Sequence, residues 1–225
     1  MIPKTPSLLT VLLLLTAVQP VWAGADRGDA GRPPNVVFIM ADDLGWTDVG
    51  CQGSRFYETP HIDKLAAKGL RLTSHYHSPN CAPTRAALMT GQYAPRTGVY
   101  TVGSLERGMA EQRKMNVPQN VTQLPLDRQT LGDLMKGAGY TTGLFGKWHL
   151  GQAGKYHPAQ RGFDEAFVTQ GKHFDFVTQP KVDYPKGQYL ADMLTDNAVK
   201  FIEKHKDRPC EQLKSWWSFC TQDGG

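Results

Sequence analysis

The chain has 225 residues, of which 40% are hydrophobic and 20% are charged, as in an ordinary globular protein with one substantial domain. Lysine and arginine together number 25 against 21 acidic residues, which gives a formal net charge of +4 at pH 7. No run of basic residues alternates with aromatic residues, so we expect no nucleic-acid binding.

Residues 1–23 have the pattern of a signal peptide. Lys4 is positively charged, and residues 8–18 form an apolar stretch that is too short to span a membrane. A small residue, Ala23, stands where signal peptidase cleaves, so we predict cleavage after it and a polar lead-in over residues 24–34. The protein is therefore expected to be exported (periplasmic, secreted or lysosomal, depending on the host) and to have no membrane span.

Residues 35–40 form a continuous apolar, β-rich run, which predicts a strand buried on both faces of a parallel sheet. Asp42 and Asp43 follow it directly. Ligands of open α/β sheets bind outside the carboxyl ends of the strands, and two adjacent carboxylates there suit a hard cation such as Ca²⁺ or Mg²⁺. A solvated turn is the alternative, because Asp is common in turns.

The next segment predicts a helix that begins at Pro60 with Thr59 as its N-cap and ends at Gly69. Its apolar stripe contains Ile62, Leu65 and Ala66. Residues 70–73, Leu-Arg-Leu-Thr, predict a strand that leads toward a loop containing Cys81.

Cys81 stands just ahead of Pro83, and proline favours the first position of a helix, here one that ends at Gly91. A helix N-terminus attracts anions, and Arg85 in the first turn adds a planar cation suited to a tetrahedral oxyanion. The pattern therefore indicates a nucleophile beside a sulfate or phosphate site. Zinc binding by His75 and His77 is an alternative, although the remaining ligands are absent from the local pattern.

The number of cysteines does not decide which of them form disulfides. Two disulfides among Cys51, Cys81, Cys210 and Cys220 would allow three connectivities, and modification of Cys81 would leave one of the others unpaired.

Residues 94–127 are rich in Gly, Pro, Gln and Arg and predict a long surface loop. The loop contains the sequon Asn120-Val121-Thr122, which has meaning only in a eukaryotic secretory host.

Thr130 and Asp133 predict a capped helix start, followed by a buried stripe and an end at Gly139; the stripe contains Leu131, Leu134, Met135 and Ala138. Residues 140–145 predict a strand. If the extended conformation continues, alternation places Lys147 and His149 on the same side, at the carboxyl end of that strand. An ordinary solvated strand end is the alternative.

Residues 161–164, Arg-Gly-Phe-Asp, introduce a short strand that extends through Val168. From Gln188 to about His205 the periodicity predicts an amphipathic helix, with one core-facing stripe made of Leu190, Met193, Leu194, Ala198, Phe201 and Ile202.

Four of these segments, in this order, resemble the formylglycine-dependent (type I) sulfatases. Residues 81–85, Cys-Ala-Pro-Thr-Arg, match the Cys-x-Pro-x-Arg signature, and residues 139–149 resemble the second signature. Residues 35–45 are similar to the first strand and metal-binding Asp-Asp, and residues 161–164 are also similar. The resemblance covers residues 35–206 as the N-terminal part of a sulfatase domain. It implies an α/β, alkaline-phosphatase-like fold with a mostly parallel sheet flanked by helices on both faces.

The resemblance also implies a mechanism of sulfate-ester hydrolysis. A separate formylglycine-generating enzyme would oxidise Cys81 to Cα-formylglycine. One hydroxyl of the hydrated aldehyde attacks the sulfur of an organic sulfate ester, and the alcohol leaves. The second hydroxyl then allows elimination of the covalent sulfate, which regenerates the aldehyde. Asp42, Asp43 and the modified Cys81 would hold Ca²⁺, more readily than Mg²⁺. Arg85 would hold the formylglycine, whereas Lys147 would bind sulfate oxygens and His149 would bind the formylglycine hydroxyl.

Residues 207–225 depart from the family pattern. They show no buried-strand pattern where a core strand is expected, and we interpret them as a divergent tail produced by a frameshift, an alternative transcript or a truncated gene model. We therefore expect too few metal ligands, an unpaired sheet edge with exposed apolar faces, and a weak or inactive chain.

Two other functions stay open from the sequence. One is a phosphonate or phosphodiester hydrolase of the same superfamily, and the other is a non-catalytic truncated product. The leaving group is not predicted either, so sugar sulfates and aryl sulfates are both possible substrates.

Overall fold

The computed structural model describes residues 34–106, 108–151, 153–206 and 214–221. The predicted signal peptide, and all of the lead-in except Pro34, lie outside these ranges. Among the helices in these ranges, none combines the length and apolar character needed to cross a membrane.

A five-stranded sheet forms the centre of the described fold, with strand order β1-β5-β2-β3-β4. The neighbours from β1 to β3 pair in parallel, and β4 is antiparallel to β3. The strands are β1 (Val36–Ala41), β2 (Tyr140–Gly146), β3 (Glu165–Gly171), β4 (Phe176–Gln179) and β5 (Lys214–Thr221). The helices are α1 (Pro60–Lys68), α2 (Cys81–Thr90), α3 (Ala94–Thr97), α4 (Leu131–Gly137) and α5 (Leu190–Lys206).

Helices cover both faces of the sheet, as predicted for an α/β fold. Successive residues of β2 point to opposite faces. Leu144 packs in a cluster with Ala86 and Met89 of α2, whereas Phe145 packs in a second cluster with Leu194 and Phe201 of α5. The alkaline-phosphatase-like sulfatase fold implied by the resemblance is consistent with this layered arrangement.

The expectation that the tail lacks a strand is wrong. Strand β5 pairs in parallel with β1 on one side and with β2 on the other, so it occupies the interior of the sheet. Its sequence contains Trp216, Trp217 and Phe219, and aromatic residues favour strands as much as aliphatic ones do. Polar Lys214, Ser215 and Ser218 interrupt its apolar residues, so the segment lacks the continuous apolar run expected of a buried parallel strand.

Strand β1 lies at an edge of the sheet and is buried on one face only, which corrects the prediction of burial on both faces. Val36 and Phe38 pack against the α2 side of the core, whereas Val37 and Ile39 are 57% and 66% exposed. Helix α5 packs mainly on β2 and β5. The predicted exposed apolar face is therefore present along β1 in the described part of the chain.

Helix α1 has the predicted bounds but not the predicted packing. Ile62 and Leu65 are exposed, and Thr59 makes no capping hydrogen bond from its side chain. Instead, the Asp63 carboxylate accepts hydrogen bonds from Thr59 Oγ1 at 3.1 Å and from Cys51 N at 2.6 Å, which ties α1 to the short turn Gly50–Gln52. Residues 70–73 form no strand, which corrects the prediction made from their sequence. Leu70 and Leu72 are both exposed.

Two predicted apolar stripes are narrower in the structure. The Thr130–Asp133 capping box forms as predicted, but Leu134 of α4 is exposed, as is Ala138. Helix α5 buries most of its predicted stripe and leaves Ile202 40% exposed.

The predicted surface loop over residues 94–127 includes α3, and it contributes buried Val99 and Leu124 to the core.

Candidate active site

The carboxylate of Asp42 lies at the centre of the candidate site. Asp42 is only 3% exposed, and its two oxygens bind two different cations. Arg85 Nη2 lies 3.0 Å from Oδ1, and Lys147 Nζ lies 2.5 Å from Oδ2. Burial alone would raise the pKa of Asp42, but the hydrogen bonds from Lys147 and Arg85 outweigh burial and hold this pKa below its ordinary value.

The parallel sheet brings these residues together. Asp42 directly follows β1 and Lys147 directly follows β2, and the carboxyl ends of parallel strands meet at one edge of the sheet. Arg85 reaches both ends from α2, because its Nη1 also donates to the backbone carbonyl of Lys147 at 2.6 Å. One guanidinium thus links two strand ends to the helix that begins at Cys81.

Helix α2 begins at Cys81 itself, two residues before the predicted start at Pro83, and ends at Gly91 in the left-handed conformation, as predicted. Cys81 and Arg85 are one turn apart, so they lie on the same helix face. Cys81 is a partly buried free thiol, and Cys51 is free as well. Cys210 lies outside the described residues.

Asn80 holds the start of α2 in a way that the sequence reading missed. Its side chain makes no capping bond to the helix; instead its Nδ2 donates to Thr101 Oγ1 at 3.1 Å. Its backbone carbonyl accepts the first helical bond from Thr84 N at 3.2 Å. The signal available in the sequence was the residue type, because Asn is a preferred N-cap.

Lys147 and His149 lie on a turn after β2, and not on the extended strand for which alternation was predicted. The extended conformation ends at Gly146, and His149 has a left-handed φ of 59°. Between them Trp148 is fully buried and donates from Nε1 to the carbonyl of Tyr156 at 2.9 Å. The buried indole therefore anchors the turn that carries both side chains.

Burial lowers the pKa of His149, and the nearby cations Lys147 and Arg85 lower it further, while Asp42 acts in the opposite direction. The imidazole is therefore neutral at neutral pH. Its Nδ1 atom is buried and has no hydrogen-bond partner among the residues described.

Asp43 behaves differently from Asp42. It is exposed and adopts a left-handed φ of 55°, which turns the chain immediately after the buried carboxylate. Within the described residues no group of three or more His, Cys, Asp or Glu side chains is assembled for a metal ion. His75 and His77, the alternative zinc ligands, are exposed, and His77 Nδ1 donates to the carbonyl of Ser78 at 2.6 Å.

The side chain of Arg161, from the Arg-Gly-Phe-Asp segment, supports a loop. The buried guanidinium donates to three backbone carbonyls: Leu124 at 3.2 Å, Pro125 at 3.3 Å and Arg128 at 2.8 Å. Its contacts are therefore those of a structural residue.

Similarity to known proteins covers the same part of the chain as this site. The family model described as Sulfatase matches residues 34–210. The N-acetylgalactosamine-6-sulfatase of Mus musculus is 40% identical over 166 residues, which are 73% of this chain and 30% of that protein. The steryl-sulfatase of Mus musculus is 40% identical over 174 residues, covering 72% of this chain and 26% of that protein.

Solved structures show the same relationship. The PsFucS1 sulfatase from Pseudoalteromonas sp. superposes with a TM-score of 0.66 at 27% identity, over 87% of this chain and 45% of that chain. A protein solved in complex with its substrate D-glucosamine-2-N,6-O-disulfate superposes with a TM-score of 0.63 at 26% identity, over 84% of this chain and 34% of that chain.

The chain spans about 30% of the length of the N-acetylgalactosamine-6-sulfatases that it matches. The matched segment contains the strand ends of β1 and β2 and the start of α2, which carry Asp42, Lys147 and Cys81. The family model covers more than half of the chain, and the chain belongs to the sulfatase family.

Proposed function

We propose that this chain carries the nucleophile half of a sulfuric ester hydrolase site that acts on an organic sulfate ester. One observation carries the proposal: Arg85 joins the buried Asp42 carboxylate to the Lys147 strand end, one helical turn from Cys81. The proposed catalytic residues are Cys81, Arg85, Lys147 and His149. The substrate leaving group, sugar or aryl, is left open.

The charges of the cluster suit a sulfate group. Arg85 and Lys147 carry two positive charges against the single negative charge of Asp42, so the cluster has an excess of one positive charge near the N-terminus of α2. Helix N-termini also favour anions. An approaching sulfate can therefore replace Asp42 as the partner of the Lys147 ammonium. Lys147 is 14% exposed and is the more accessible of the two cations.

His149 supplies a neutral imidazole beside this positive charge. Burial and the neighbouring cations keep its pKa low, so one ring nitrogen has a free lone pair at neutral pH. We infer that His149 accepts a hydrogen bond from the hydroxyl of the nucleophile and orients it. The buried Trp148 holds the imidazole in place, because it anchors the intervening turn.

Cys81 is proposed to act after oxidation to Cα-formylglycine by a formylglycine-generating enzyme. The hydrated aldehyde supplies an oxygen nucleophile where the thiol of Cys81 now lies. The free state and partial exposure of Cys81 support this proposal, since a disulfide would block the modification. Export from the site of synthesis, with removal of residues 1–23, is part of the same proposal.

A divalent cation is the expected cofactor, Ca²⁺ before Mg²⁺. Asp42 and Asp43 have the carboxylate oxygens that Ca²⁺ prefers, and the modified Cys81 would add another oxygen. A cation at this place would have to replace Arg85 or Lys147 on one oxygen of Asp42. When bound, the cation would act as a Lewis acid toward a sulfate oxygen. Within the described residues no group of three or more His, Cys, Asp or Glu side chains is assembled for a metal ion, so we expect these residues to bind the cation weakly.

The test combines mass spectrometry with kinetics. The chain and its Cys81→Ala variant would be made in a host with formylglycine-generating activity, and the Cys81 peptide would be examined for replacement of sulfur by the aldehyde oxygen. Hydrolysis of an aryl sulfate would then be compared with that of the matched aryl phosphate. Modification, with sulfate cleavage above the Cys81→Ala level, supports the proposal.

Two results would contradict it. An unmodified thiol in a competent host would favour a non-catalytic product. Preference for the phosphate ester would favour a phosphodiester or phosphonate hydrolase of the same superfamily.

A further inference from the structure

Asn120 is the first residue of the sequon Asn120-Val121-Thr122, yet the structure uses its whole side-chain amide internally. The Oδ1 oxygen accepts hydrogen bonds from the backbone N–H groups of Tyr100 at 2.8 Å and Thr101 at 3.1 Å. The Nδ2 nitrogen donates to the carbonyl of Thr101 at 3.0 Å and to the carbonyl of Gly103. Both hydrogens of the amide nitrogen are therefore engaged.

All four contacts agree on the orientation of the amide. Exchanging Oδ1 and Nδ2 would place a donor against two N–H groups and an acceptor against two carbonyls. The neighbouring backbone adds a further bond, from Val121 N to the carbonyl of Gly98 at 2.8 Å. Residues 120–121 therefore bind the turn over residues 98–103 at several points.

We propose that Asn120 is an internal clasp for the turn over residues 98–103 and is not a glycan acceptor in the folded protein. Glycosylation would replace one Nδ2 hydrogen with a bond to the anomeric carbon of the sugar, with a lipid pyrophosphate as the leaving group. Since both hydrogens are donated, a sugar at this nitrogen would remove one of the bonds to Thr101 or Gly103 and would occupy the space of that carbonyl.

The clasp continues to the start of α2. Thr101, which makes two of the four contacts with Asn120, accepts a hydrogen bond at its Oγ1 from Asn80 Nδ2 at 3.1 Å. Asn80 is the residue directly before Cys81 and the N-cap of α2. Asn120 is therefore a positioning residue for the thiol of Cys81, and only the catalytic meaning of this position rests on the proposed function.

The first experiment measures occupancy of the sequon. The chain would be expressed in a eukaryotic secretory host, and the folded, protease-resistant fraction would be analysed by peptide mass spectrometry with and without peptide N-glycosidase treatment. We expect an unmodified Asn120 in that fraction, with any glycosylated chains confined to the protease-sensitive fraction. A folded fraction that carries a glycan on Asn120 would overturn the proposal.

The second experiment separates the sequon from the clasp in protein made without glycosylation. Asn120→Ala removes both, whereas Thr122→Ala removes the sequon at an exposed position and leaves the amide in place. We expect Asn120→Ala to lower Tm by about 4–10 °C and Thr122→Ala to change it by no more than about 1 °C. Equal Tm values for the two variants would overturn the clasp.

The third measurement reads the position of Cys81 without any catalysis. In protein with unmodified thiols, the rate of alkylation of Cys81 would be compared with that of Cys51 as an internal reference. We expect Asn120→Ala to raise the ratio several-fold under conditions where both variants are folded, and Thr122→Ala to leave it unchanged. An unchanged ratio in Asn120→Ala would overturn the link to Cys81, whether or not the chain is a sulfatase.

Discussion

Lys147 and Asp42 join the ends of two strands that are not neighbours in the sheet. Their side chains meet at 2.5 Å although β5 lies between β1 and β2. Arg85 binds the second oxygen of the same carboxylate from α2. The stability of the sheet at the carboxyl ends of β1 and β2 therefore depends on the buried negative charge of Asp42.

Asp42→Asn tests that dependence. The substitution keeps the shape of the side chain but leaves the buried Arg85 and the mostly buried Lys147 without their counter-charge, so we expect a loss of about 3–5 kcal/mol in the free energy of unfolding. Denaturant titration in the presence of a chelator measures the loss without metal binding. Asp43→Asn, at the neighbouring exposed position, is the control and should change stability by less than about 0.5 kcal/mol. Similar losses in the two variants would contradict the central role of Asp42.

Gly162→Ala tests the close approach of the loop containing Gly162 to the first turn of α4. Gly162 has a φ of 85°, and an added Cβ would lie 2.0 Å from the backbone nitrogen of Asp133. We expect a loss of more than about 2 kcal/mol, because both the conformation and the contact are unfavourable for alanine. Thermal unfolding measures the change. Gly137→Ala is the matched control, since it meets no atom within 4 Å at the end of α4 and should be neutral or stabilising by up to about 1 kcal/mol.

Asp164→Asn tests the pH dependence of stability. Burial raises the pKa of Asp164, but hydrogen bonds from Lys136 and Thr142 outweigh it and lower this pKa below its ordinary value. The carboxylate therefore contributes stability above the unfolded pKa of about 4, and this contribution is lost as the pH falls through the folded pKa.

Urea unfolding at pH 7 and at low pH measures this contribution. We expect wild type to be more stable than Asp164→Asn at pH 7, with the difference shrinking on acidification. Asp183→Asn, at an exposed position, should follow wild type at both pH values. A difference that grows on acidification would show that the shift has the opposite sign.

Arg161→Ala tests whether this arginine supports the loop and not the chemistry. Its removal leaves the carbonyls of Leu124, Pro125 and Arg128 without their guanidinium donor, and an unsatisfied buried polar group costs about 1–3 kcal/mol. We expect a total loss in the upper part of that range or beyond, with no effect on formylglycine formation at Cys81. The unfolding free energy and the mass of the Cys81 peptide are the two measurements. Loss of modification in a variant that still folds would contradict a purely structural role.

Local sequence patterns were sufficient for most helices and strands. The capping box of Thr130 and Asp133, the glycine after α2, and the periodicity of α5 each depend on contacts within a few residues, so they can be read from the chain directly. The predictions failed where contacts between residues far apart in the sequence decide which side chains are buried. Val37 and Ile39 are exposed because β1 is an edge strand, and sequence periodicity does not specify the order of strands.

Short motifs at strand and helix ends predict the family and the candidate site residues Cys81, Arg85, Lys147 and the Asp pair. Which of these side chains meet depends on the order of the strands, which no local motif specifies. The structure places Asp42 between Arg85 and Lys147, which are 43 and 105 residues away in the sequence, because the parallel sheet brings the ends of β1 and β2 to one edge. The next residue, Asp43, is exposed. The structure also places β5 inside that sheet and bonds the amide of the sequon residue Asn120 to backbone groups of a distant turn.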